Sequence, residues 1–104
     1  MWDTRYMPYE PTHPGELLKD ELQARNISQK SFAQLIGVSC SYLSGVVNEK
    51  RPVTSELAML LEASLNIRAY VWVRMQTEFD LCKAQKSKKL SVRLAEIRKV
   101  CAMF

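Results

Sequence analysis

A chain of 104 residues, 47% of them hydrophobic and 25% charged, is expected to build one compact core rather than two, at about 100–200 residues per domain. Its three cysteines, Cys40, Cys82 and Cys101, form no Cys-x-x-Cys pair and His13 is the single histidine, so neither a metal centre nor a disulfide framework is expected, and a reducing cytoplasmic setting fits best. The net charge of +4 hints at a nucleic-acid partner without locating it. Lys86, Lys88, Lys89, Arg93, Arg98 and Lys99 against Glu96 concentrate the surplus after Gln85 and leave the rest close to neutral.

The chain opens with a lead-in over residues 1–13, punctuated by Pro8 and Pro11 and lacking the basic start and apolar run of a signal peptide. Pro14 suits a first helical position, and the spacing of Leu17, Leu18 and Leu22 predicts a helix to Arg25, ended by Asn26. Ser28 is a natural cap for a short second helix with Phe32, Ala33, Leu35 and Ile36 on its apolar side, and Gly37 supplies the left-handed residue that stops it. Ser39 caps a third helix after the connection Gly37-Val38-Ser39. So short a link forces the two helices to cross at a large angle, as in a helix-turn-helix.

Two helices of that length cannot bury enough surface alone. A fourth, capped by Thr54 and running to Leu65, carries Leu57, Leu60, Leu61 and Leu65, with Asn66 as its stop. A fifth, about Ala69 to Ala84, carries Trp72, Met75, Phe79 and Cys82 as a narrow seam. Leu90 to Val100 either forms a sixth amphipathic helix or frays. The expected fold is therefore all-α, with five or six helices, a domain over residues 14–85 and a basic tail over 86–104. No apolar run approaches the roughly 20 residues of a membrane span.

In the third helix Leu43, Val46 and Val47 lie three and four residues apart and must face the core with Val38. Cys40, Ser41, Ser44, Gly45 and Asn48 then face outward. All are short, which suits a helix lying in a major groove about 12 Å wide, and Cys40, Ser41, Ser44 and Gly45 are the candidates for contact with base edges. Gln29, Lys30, Ser39, Tyr42, Asn48, Lys50 and Arg51 surround them as candidate phosphate contacts. The seam of Trp72, Met75, Phe79 and Cys82 is either a dimer interface or intramolecular core. One histidine, scattered carboxylates and no Gly-rich loop leave no catalytic set, so no enzyme activity and no cofactor are expected.

The run Ser28-Gln29-x-x-Phe32-Ala33-x-x-Ile36-Gly37-Val38-Ser39-x-x-x-Leu43-Ser44-x-Val46-x-Asn48-x-Lys50-Arg51 resembles the XRE, or Cro/cI-type, helix-turn-helix family. His13-Pro14-Gly15-Glu16-Leu17-Leu18, Val46-Val47-Asn48-Glu49-Lys50-Arg51 and Trp72-Val73-Arg74-Met75-Gln76-Thr77-Glu78-Phe79-Asp80-Leu81 are similar to the HigA/VapI-type antitoxins of bacterial toxin–antitoxin operons. The likeness covers about His13 to Ala84. It implies a lambda-repressor-like domain, a homodimer on double-stranded DNA with a palindromic operator, and sequestration of a toxin of RelE/HigB type, an mRNA-cleaving ribonuclease. Two residues depart from that pattern: Gly45, where relatives often carry a longer polar side chain, and Glu49, where glycine is common. A module that binds a toxin with little sequence-specific DNA recognition, or an orphan regulator of the same family, is the alternative.

Overall fold

The computed structural model describes residues 10–104, so positions 1–9 of the expected lead-in lie outside the described residues. Six helices follow one another: α1 (Pro14–Ala24), α2 (Gln29–Ile36), α3 (Cys40–Val47), α4 (Ser55–Leu65), α5 (Ala69–Gln85) and α6 (Lys88–Cys101). The described residues contain no strand, and no helix among them is long and apolar enough to cross a membrane.

Local side chains start most of these helices, because the first amides of any helix lack an internal acceptor. Ser28, Ser39, Thr54 and Ser87 each accept from the backbone N–H three residues on, at 3.1, 3.0, 3.2 and 3.2 Å. For α5 the cap is tertiary instead: Arg68 makes no capping bond, and the Glu62 carboxylate of α4 accepts from Ala69 N–H at 3.1 Å. Gly37 and Asn66 end α2 and α4 at φ 77° and 59°, the left-handed region that both residue types tolerate.

The core lies between α1, α2, α3 and α4, with α5 as its lid. Leu18, Phe32, Leu43, Val46, Leu57, Leu61, Leu65 and Trp72 are fully buried. Trp72 was a candidate for a dimer contact, but it has no exposed surface, and its indole N–H donates to the Ile67 carbonyl at 3.2 Å. It is core. A helix lying across a four-helix bundle must turn its apolar side inward, which also buries Cys82 and half-buries Met75 and Phe79. Leu35 is corrected in the opposite direction. It is 69% exposed, because α2 meets α3 and α4 through Phe32, Ala33 and Ile36.

His13 sets the start of α1. Its Nδ1 accepts from Gly15 N–H at 2.9 Å, and its ring meets Phe79 of α5 edge to face with centroids 4.9 Å apart. Burial holds its pKa below the usual histidine value, against the opposing pull of Glu49 and Asp80. With the folded pKa depressed, the unfolded chain takes up a proton first as pH falls. Stability is therefore full above the ordinary histidine range and drops as pH descends through it toward the folded value. His13→Asn retains a capping side chain without a titrating ring, so the fall in melting temperature between pH 7.5 and 5.5 should be smaller in that variant.

Candidate nucleic-acid interface

The inward turn of Leu43, Val46 and Val47, which are buried to 4% exposure or less, determines what α3 shows to the outside. Cys40 and Ser41 are exposed at its first turn, Asn48 is exposed at its end, and Ser44 is half-buried between them. Asn48 Nδ2 donates to Ser44 Oγ at 3.2 Å, which joins the two polar groups along one face. Along Cys40, Ser41, Ser44 and Asn48 the outer surface of α3 is thus polar and carries no long side chain of its own.

Gly45 does not form an open part of that face. The Arg51 side chain lies across it, and a Cβ built on Gly45 would stand 2.9 Å from Arg51 Cδ. Arg51 is held there from two directions. The backbone N–H groups of Lys50 and Arg51 both donate to the Gly45 carbonyl, at 2.8 and 3.1 Å, and the guanidinium sits 5.6 Å from the Tyr42 ring centroid. The glycine thereby lets the loop after α3 fold back onto the helix, and the same packing carries a cation to its flank. Tyr42 consequently acts as the platform for Arg51.

Lys50 is exposed beside Arg51, and Lys30 is exposed at the start of α2 with Gln29 half-buried next to it. Among the described residues no carboxylate pairs with Lys30, Lys50 or Arg51. Ser28 and Ser39 use their hydroxyls to cap Ser31 and Tyr42 N–H. The first amides of α2 and α3 remain without internal acceptors, the arrangement that favours an anion.

Two positions that sequence reasoning passed over keep this geometry in place. Gln76, 7% exposed on α5, accepts from Val53 N–H at 2.8 Å and donates to Asp80 at 3.0 Å. It thereby anchors the end of the loop that carries Lys50 and Arg51. Gly15 lies so close to α3 that a Cβ there would run into the Val46 carbonyl oxygen. No local pattern marks a glutamine in an apolar seam as a loop anchor, and the Gly15 contact depends on how α1 meets α3.

Glu49 occupies the same loop at φ 63°, a left-handed conformation that costs a non-glycine residue about 1 kcal/mol. Glu49→Gly removes both that strain and a carboxylate next in sequence to the candidate phosphate contacts Asn48 and Lys50. The variant should bind duplex DNA severalfold more tightly at low salt and melt no lower than the parent.

The chain is similar to known helix-turn-helix proteins. The helix-turn-helix family model HTH_3 matches residues 18–72. Virulence-associated protein I of Dichelobacter nodosus is 35% identical over 78 residues, covering 74% of this chain and 72% of that protein. Pseudomonas aeruginosa antitoxin HigA, solved with the higBA promoter, shares 30% identity and a TM-score of 0.73, over 79% of this chain and 90% of that one. A further Pseudomonas aeruginosa structure, solved in complex with operator DNA, shares 30% identity with a TM-score of 0.70, over 80% and 92%.

Proposed function

This chain belongs to the XRE-type helix-turn-helix family, whose relatives include transcriptional regulators and HigA-like antitoxins, and we propose that it is a sequence-specific repressor and the antitoxin of a HigB/HigA-type module. The observation that carries the proposal is the outer face of α3, where Cys40, Ser41, Ser44 and Asn48 are short and polar and Arg51 lies across Gly45. Lys30 and Lys50 are exposed on α2 and on the loop after α3, without an ion pair among the described residues. Solved structures with this fold from Pseudomonas aeruginosa contain promoter or operator DNA.

In this reading α3 enters the major groove, Ser41 and Ser44 meet base edges, and Cys40 packs on a thymine methyl. Lys30, Lys50, Arg51 and the first amides of α2 and α3 hold the phosphates and set the register. A homodimer doubles these contacts and places two copies of α3 about 34 Å apart on a palindromic operator. The outer face of α5, where Tyr70 is 70% and Leu81 43% exposed, is the surface we assign to that contact, since Trp72 belongs to the core. The antitoxin role adds a RelE/HigB-type toxin as the second partner.

A salt titration tests the DNA contact. With three cations from each protomer on phosphates, log K should fall against log salt with a slope of about −5. Lys50→Ala should reduce that slope by about 2 in the dimer. Equal affinity for the upstream DNA and a scrambled duplex would instead favour a module that binds a toxin with little sequence-specific DNA recognition.

A further inference from the structure

The last helix is the element that the DNA-binding reading leaves without a task. α6 packs on α5, none of its residues is buried, and the described chain is drawn out to 57 × 25 × 20 Å. Leu90, Leu94, Ile97 and Cys101 follow at steps of four, three and four residues, which aligns them as one seam. The first two are half-buried near α5. Ile97 is 49% exposed, and Val100 beside it is 54% exposed. Arg93 and Arg98 border the seam on its two sides, and Lys88, Lys89 and Lys99 add to the charge of the helix. Among the described residues none of these cations is in an ion pair; the one carboxylate bound nearby, Glu10, is held by Lys86 at 2.9 Å.

From the seam and its borders we infer that α6 is a docking helix for an acidic amphipathic helix of another protein, one that presents an apolar seam flanked by Glu or Asp. Charge excludes the simplest alternative occupant. Two copies of α6 paired in parallel set Arg93 against Arg98, and paired antiparallel they set each arginine against its own copy, so like charges meet in both directions. Duplex DNA satisfies the cations but leaves Ile97 and Val100 in water. A bilayer takes up a broad apolar face, whereas the exposed apolar strip of Ile97, Val100 and Cys101 is bordered on both sides by arginine. An acidic helix satisfies both features together, since its apolar residues cover Ile97 and Cys101 while its carboxylates reach Arg93 and Arg98.

The test uses the full chain and two labelled synthetic helices of identical leucine seam, one flanked by glutamate and one by lysine. Fluorescence anisotropy should show the glutamate-flanked peptide binding at least tenfold more tightly. Arg93→Glu combined with Arg98→Glu should reverse that preference, and Ile97→Asp should abolish binding of both peptides. All three substitutions lie on exposed parts of α6, so melting temperature should stay unchanged, and Ile97→Asp should leave the preference for the upstream DNA over a scrambled duplex intact, which separates this result from the fate of the repressor reading. Equal binding of both peptides, or binding of neither, would overturn the inference. So would preferential binding of the full chain to phosphatidylserine vesicles, or sedimentation showing that Ile97→Asp dissociates a dimer.

Discussion

Gly15→Ala is expected to destabilise the domain by about 3 kcal/mol, at the upper end of the range for overpacking, because the added methyl runs into a backbone carbonyl. The oxygen it meets belongs to Val46 in α3, which has no rotamer with which to step aside. Either α1 lifts off the core, taking Leu18 and Leu22 with it, or α3 is displaced. Both outcomes disturb the helix offered to DNA. Chemical denaturation should show the loss as a lower midpoint with an unchanged slope, since the folded topology is retained. Gly45→Ala serves as the contrast, because its added methyl meets the Arg51 side chain, which can swing away. That variant should lose little stability, and alanine within a helix offsets part of the loss.

The second large effect is on binding. Ser41→Glu together with Ser44→Glu should reduce affinity for the upstream DNA by a factor of about 100 or more, since each lost or repelled base contact costs about 1–3 kcal/mol. The change places carboxylates where the proposal puts base edges and phosphates. Ser41 is exposed and Ser44 half-buried, and neither belongs to the core. Circular dichroism melts should therefore remain within a few degrees of the parent. Electrophoretic mobility shift with matched and scrambled duplexes reads the affinity.

The segment from Ser28 to Val47 was legible in the sequence because its instructions are local. Ser28, Gly37 and Ser39 set the two helices by contacts within a few residues, and Thr54 and Asn66 do the same for α4. The inward trio of α3 follows from helical spacing in the same way. What could not be read depends on partners far along the chain. Leu35 continues the apolar spacing of α2 yet faces outward, since the position of α4 decides which arc of an eight-residue helix is covered.

The seam on α5 illustrates the same limit. Spacing alone shows that Trp72, Met75, Phe79 and Cys82 share a side; it does not show whether that side meets its own chain. The five-helix core claims Trp72 outright, while Cys82 is buried outside that cluster, beside Pro11 and Phe79. Gln76 in that seam binds Val53, 23 positions away, so its role as the anchor of the cationic loop has no local signature. Gly45 was legible as a departure from the family pattern, but its use, a seat for Arg51, is visible only once the loop folds back.

Dimethyl sulfate footprinting on the DNA upstream of the gene probes the placement of α3 most directly, because the reagent methylates guanine N7, an atom of the major groove. Guanines protected in two clusters about one helical turn apart, with the protection lost in the Ser41 and Ser44 double variant, are the predicted pattern. Tight binding that leaves every guanine N7 as reactive as in free DNA would contradict it.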